Sequence, residues 1–174
     1  MACRRKSALL IQQVGRISPE KRPDRAIKIA QRAGLPLKIA AKVDPCDVDY
    51  FKSEIEPLLD DSLTEFIGEI GEPQKAKFLG NARALLFPID WPEPFGLVMI
   101  EAMSAGTPVI AWPNGSVPEV LRHGVTGLIV DSLEAAAAAS RQAVFLDREK
   151  FARSSSAASP PNAWLRIISP PIAH

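Results

Sequence analysis

Two carboxylates eight residues apart frame the most informative stretch of the chain, Glu93-Pro94-Phe95-Gly96-Leu97-Val98-Met99-Ile100-Glu101. Pro92 and Pro94 hold an extended loop, and Gly96 allows close backbone approach at the turn into an apolar helix. The first helical residues, near Leu97, present free N–H groups at the positive end of the helix dipole, a ready site for an anion such as a diphosphate. Glu101 lies four residues after Leu97 and so on the same helical face. There it can accept hydrogen bonds from two vicinal ribose hydroxyls while the phosphates sit at the helix tip. Glu93, on the loop before the tip, can reach sugar hydroxyls beyond the phosphates. The bare spacing is weak evidence, since two glutamates so placed arise by chance in most chains. A second charged segment, Gly15-Arg16-Ile17-Ser18-Pro19-Glu20-Lys21, follows an apolar run. Taken alone, Arg16 and Lys21 read as solvated loop cations.

These residues need a scaffold, and the apolar pattern supplies one. Strands are expected at Leu9–Val14 (ended by Gly15), Leu37–Val43, Leu63–Ile67, Ala84–Phe87, Val109–Trp112 and Gly127–Val130. Helices are expected at Asp24–Ala33 (stopped by Gly34), Asp47–Leu59, Pro73–Ala82, Leu97–Ala105, Val117–Arg122 and Leu133–Leu146. Such strand–helix alternation implies a parallel sheet covered on both faces, and the continuous apolar strands agree. The expected fold is α/β: a single doubly wound, Rossmann-like sheet over residues 9–147. Ligands in such sheets bind outside the carboxyl ends of the strands, here after Val14, Ile67, Phe87 and Trp112. Residues 1–8 are expected to be a disordered leader, and 148–174, with Ser and Pro clusters and no period, an irregular or disordered tail. A reading-frame shift near residues 150–153 is one origin for that tail, and the coding DNA tests it.

Composition narrows the function classes. The chain has 174 residues, 47% apolar and 24% charged, with 21 Lys and Arg against 20 Asp and Glu. That balance offers no electrostatic case for nucleic acid or an acidic membrane surface. The two cysteines, Cys3 and Cys46, lack metal-ligand spacing and are expected to be free thiols in a reducing compartment. No apolar run approaches the ~18 residues of a membrane span, and the expected compartment is the cytoplasm. No G-x-G-x-x-G follows a strand, which disfavours a dinucleotide-dependent oxidoreductase.

The full string from Glu93, continuing as Glu101-Ala102-Met103-Ser104-Ala105-Gly106-Thr107-Pro108-Val109-Ile110-Ala111, closely resembles the Glu-x7-Glu signature of glycosyltransferase family 4, whose members have the two-domain GT-B fold. The resemblance runs from about Val14 to Leu146 and implies that this chain is the donor-binding, C-terminal half of such a fold. In the family an Arg and a Lys in the arrangement of Arg16 and Lys21 clamp the donor diphosphate. That fits the chemistry, because preorganised cations stabilise the charge that builds on a departing diphosphate. Arg16 offers a planar fork and Lys21 a compact charge. Phe66-Ile67-Gly68-Glu69-Ile70 resembles the strand end where members contact the base through backbone groups, with Ile70 the nearest match. Asn114-Gly115-Ser116-Val117-Pro118-Glu119 resembles the family's GG-x-PE segment with Ser116 in place of the second glycine, a residue able to N-cap the next helix.

The resemblance therefore implies catalytic roles for Glu93, Arg16 and Lys21, and donor binding by Glu101, Phe95, Gly96, Leu97, Gly15 and Ile70. It implies retention at the anomeric carbon, a hexose carried by a nucleoside diphosphate, no metal and no other cofactor. It also implies a separate acceptor-binding domain as partner, so the isolated chain is expected to bind donor weakly and transfer little. The alternatives are a non-catalytic nucleotide-sugar-binding module or an inactive relic. An epimerase or a phosphorylase of related fold ranks below both.

Overall fold

The computed structural model describes residues 11–59 and 62–143, so the expected leader, the tail and its proposed frame shift lie outside the described residues. Six parallel strands form one sheet in the order β3-β2-β1-β4-β5-β6: β1 Ile11–Ile17, β2 Leu37–Val43, β3 Thr64–Gly68, β4 Ala84–Phe87, β5 Val109–Ala111 and β6 Gly127–Ile129. Between them run α1 Pro23–Ala33, α2 Val48–Tyr50, α3 Glu72–Asn81, α4 Leu97–Ser104 and α5 Val117–Val120, and α6 Leu133–Ala143 follows the last strand.

Alternate side chains of the same strand feed two cores. Leu86 and Ile110 join Ile27, Leu37, Ile39 and Ala136 under α1 and α6. Leu85, Phe87 and Val109 join Leu79, Met99 and Val117 under α3, α4 and α5. Both faces of β4 and β5 are thus covered, which is why ALLF and VIA are apolar throughout and wholly buried. In β6, Gly127 lets the strand lie against its neighbour: a Cβ there would stand 2.4 Å from the Val109 carbonyl oxygen. The doubly wound sheet expected from the sequence is the fold observed.

Among the described residues most boundaries shift by only one or two residues, and two departures are larger. Gly15 does not end β1, because Gly15, Arg16 and Ile17 continue the pairing with Ala41, Lys42 and Val43 of β2. Arg16 is therefore a strand residue, and the loop proper is Ser18–Arg22, built on a 3-10 turn at Pro19–Lys21. The helix expected over Asp47–Leu59 is a composite: a 3-10 turn at Pro45–Asp47, the short α2, a π-helical turn at Phe51–Ile55 and a 3-10 turn at Glu56–Leu58. Pro57 explains the break, since it has no N–H to give Ser53 and its ring crowds that carbonyl and the residue before it.

Candidate functional site

Strand order reverses direction between β1 and β4, the topological switch point where a doubly wound sheet opens a crevice. The two loops leaving the carboxyl ends of these strands are Ser18–Arg22 and Pro88–Gly96. They meet directly: the Asp90 N–H donates to the Glu20 carbonyl at 2.8 Å. Beside that contact the Lys21 ammonium donates to the Glu93 carboxylate through Oε2. The Trp91 indole N–H reaches the same oxygen at 3.1 Å, and Lys21 Nζ stands 5.0 Å from the centre of the Trp91 ring. Residues 72 positions apart in sequence thus become one charged unit, largely shielded from solvent.

A third loop, between β5 and α5, backs this unit. The Ser116 N–H donates to the Glu93 carbonyl at 2.8 Å, and the Asn114 amide to the Ile89 carbonyl at 2.7 Å. Gly115 allows the approach: its φ is +59°, and a Cβ would stand 2.3 Å from the Glu93 nitrogen. Ser116 does not N-cap α5 as expected. Its backbone is already helical, at φ −72° and ψ −6°, and its buried hydroxyl makes no capping bond. The N-cap geometry needs an extended residue there.

At the start of α4 the backbone turns where the sequence places Gly96. Gly96 adopts φ +60° and turns the chain into α4, with the Met99 N–H bonded to its carbonyl at 2.9 Å. Leu97 and Phe95 are exposed, at 62% and 59%, so the tip is accessible from solvent. One turn on, Glu101 meets a residue the sequence reading did not single out, Lys75 of α3. The Lys75 ammonium donates to Oε1 at 2.9 Å and lies 2.7 Å from the buried Oε2, which it holds by charge rather than by a directed hydrogen bond. Burial would lower the Lys75 pKa, but the hydrogen bond and charge of Glu101, together with those of Glu72, outweigh it and leave it raised. Only the crossover from β3 to β4, which lays α3 beside α4, brings these two together, and no local spacing signals it. A cavity of about 690 Å³ opens here, lined by Lys75, Glu101, Phe95, Leu97 and Ile100 among others. Ile70 lies half-buried between β3 and α3, just before the helix that carries Lys75.

Arg16 is placed differently from Lys21. Its guanidinium pairs with Glu20 at 2.6 Å and lies 3.7 Å from both Asp44 and Asp47, beyond the end of β2. The hydrogen bond to Glu20 raises its pKa. The structure thus joins Lys21 to Glu93 and Lys75 to Glu101, while Arg16 and Gly15 stand on the β2 side of the crevice. Among the described residues, no group of three His, Cys, Asp or Glu is arranged to hold a metal ion, and no helix is long and apolar enough to cross a membrane.

Known proteins resemble this chain in sequence and in fold. The family model described as glycosyl transferases group 1 matches residues 4–159. The D-inositol 3-phosphate glycosyltransferase of Streptomyces scabiei is 35% identical over 152 residues, covering 80% of this chain and 34% of that protein. The chain spans about a third of the length of the curated relatives it matches. Among solved structures, Anabaena Alr3699/HepE in complex with UDP and glucose superposes with a TM-score of 0.72 at 24% identity, over 86% of this chain and 42% of that one. The C-terminal domain of the group 1 family protein LpcC from Francisella tularensis gives a TM-score of 0.67 at 22% identity, over 84% of this chain and 80% of that one.

Proposed function

Because the chain belongs to the glycosyl transferases group 1 family, we propose that it is the donor-binding half of a retaining glycosyltransferase that moves a hexose from a nucleoside-diphosphate sugar. The observation that carries this reading is the pair of charged units flanking the α4 tip, Lys21 with Glu93 on one side and Lys75 with Glu101 on the other. The free N–H groups of the tip receive the diphosphate. Glu101 accepts from the ribose hydroxyls, Glu93 faces the sugar, and Phe95 and Leu97 wall the donor. Ile70 borders the base.

In the reaction an acceptor oxygen bonds to the anomeric carbon on the face from which the diphosphate leaves. The carbon–oxygen bond to the diphosphate breaks, its electron pair stays on the phosphate oxygen, and the acceptor proton moves to that oxygen. Lys21, Arg16 and the helix tip meet the growing charge in place of a metal ion. Arg16 must leave Glu20 to do so. Acceptor binding falls to a separate domain, and without it the proximity that drives group transfer is missing. The isolated chain therefore binds donor weakly and transfers little.

Ligand-observed NMR against UDP-, GDP- and ADP-sugars tests the reading, with UDP-glucose first because UDP and glucose occupy the Anabaena structure. The expected result is binding of one of them, weakened at least tenfold by Glu101→Ala, about 1.4 kcal/mol. Binding of none, or an affinity unmoved by Glu101→Ala, refutes it.

A further inference from the structure

Beside the Lys21–Glu93 contact and the Asp90–Glu20 hydrogen bond, the same two loops are joined once more, through a residue in a strained conformation. Arg22 is the positive-φ residue among the described non-glycines, at φ +50° and ψ +53°. An L-residue avoids this region and a glycine occupies it freely. The turn itself requires it: the Arg22 N–H closes the 3-10 turn onto the Pro19 carbonyl at 3.3 Å, and the Arg22 carbonyl accepts the first bonds of α1 from Arg25 at 3.1 Å and Ala26 at 3.4 Å. A glycine would serve that backbone without strain, so the presence of a side chain calls for a reason.

The guanidinium supplies it. Two of its nitrogens grip Asp24 side-on, each at 2.9 Å, and a third donates to Asp90 Oδ2 at 2.9 Å. Arg25 reaches the same Asp90 oxygen at 3.1 Å and the Pro88 carbonyl at 3.3 Å. Asp90 also gives its backbone N–H to Glu20. Arg22 directly follows Lys21, and Asp90 directly precedes Trp91, whose indole holds Glu93. We propose that Arg22 is a positioning residue: clasped to Asp24 and Asp90, it fixes the loop carrying Lys21 against the loop carrying Glu93 and so sets where the Lys21 ammonium meets the donor diphosphate. This rests on the donor-binding reading above. Arg22 itself touches no reacting atom, and a planar fork making three hydrogen bonds to two carboxylates at once is a task that lysine cannot perform.

The test separates a clasp that aims Lys21 from one that merely stabilises the fold. Arg22→Gly removes the guanidinium while suiting the backbone, so the full chain should melt within about 4 °C of the parent. UDP and uridine are titrated against both by saturation-transfer NMR. UDP carries the phosphates that Lys21 meets and uridine does not. Arg22→Gly should weaken UDP about tenfold, or about 1.4 kcal/mol, and leave uridine within about twofold. In a Lys21→Ala background it should have no further effect on UDP beyond about twofold. Asp90→Asn, which keeps the side-chain volume, should reproduce both results if the glycine variant fails to fold. Equal weakening of UDP and uridine, an unchanged UDP affinity, or an undiminished effect without Lys21 overturns the clasp. A parent chain that binds no UDP, GDP or ADP overturns the donor reading and the clasp with it, whereas a parent that binds with an indifferent Arg22→Gly overturns the clasp alone.

Discussion

Replacing Gly115 by alanine is the most demanding probe of the three-loop arrangement around Glu93. A Cβ on Gly115 would stand 2.3 Å from the Glu93 nitrogen, 2.4 Å from its carbonyl oxygen and 2.6 Å from the Pro92 carbonyl carbon, all of them backbone atoms. No rotamer change relieves such contacts, so one loop has to retreat. The positive φ of +59° adds a penalty of about 1 kcal/mol. Overpacking against rigid backbone costs about 2 kcal/mol. Separating the loops also loses the 2.8 Å hydrogen bond from Ser116 to Glu93, worth about 1 kcal/mol. The expected destabilisation is about 4 kcal/mol, a shift of about 2 M in a urea midpoint. Gly124→Ala is the control: its φ is +79° and its surroundings are open, so it should cost only the conformational penalty of about 1 kcal/mol. Gly96→Ala should fall between them, because its obstacle at 2.2 Å is the far end of the Met99 side chain rather than backbone. Urea unfolding of the three variants decides the matter. A Gly115→Ala cost within about 1 kcal/mol of Gly124→Ala would refute the close loop packing on which the Glu93 geometry depends.

Two further outcomes follow from buried and charged contacts. The buried Thr107 hydroxyl donates to the Leu79 carbonyl at 2.7 Å, but that carbonyl also accepts from the Ala82 N–H at 3.0 Å. Thr107→Val therefore leaves it satisfied and should cost about 1 kcal/mol, a fall of about 3 °C in melting temperature, and a fall above about 8 °C would contradict this. For acid stability, burial would raise the Asp24 pKa, but its hydrogen bonds to Arg22, joined by the charges of Arg22 and Lys28 and by the Arg25 N–H, hold it below the usual carboxylate value. A depressed folded pKa stabilises above the unfolded pKa, near 3.9, and that stabilisation is lost as pH falls through the folded value. Melting temperature should drop below about pH 4, and Asp24→Asn should flatten that limb; an unchanged acid limb in the variant would discount the pair.

The sheet was legible because short continuous apolar runs alternate with longer helical segments, and six repeats of the unit leave few topologies. The departures arise where a local cue was outvoted by tertiary pairing. Gly15 looks like a strand end, yet Gly15–Ile17 have strand partners in Ala41–Val43 that no inspection of residues 9–17 reveals. Pro57 was visible, but not how far upstream its missing N–H would disturb the helix, as far as Phe51. At the candidate site, Glu93, Glu101 and Lys21 could be picked out by type and motif, whereas their partners could not. Lys75 is 26 residues from Glu101, and Asp90 is 68 from Arg22. Such pairings exist only once the crossover has been made. Arg22 gave no sign at all, since an arginine in a polar turn is unremarkable until its backbone angle is known.

The strand order has a consequence in time as well as in space. β1 pairs with β2 soon after both exist, but its other edge waits for β4, beginning at Ala84. At synthesis rates of about 5–20 residues per second, that edge is open for on the order of ten seconds. During this interval β1 offers unpaired backbone to any passing strand. The contact between Lys21 and Glu93 can form only once β4 and its loop have been made, so the proposed nucleotide binding would report the pairing of β1 with β4.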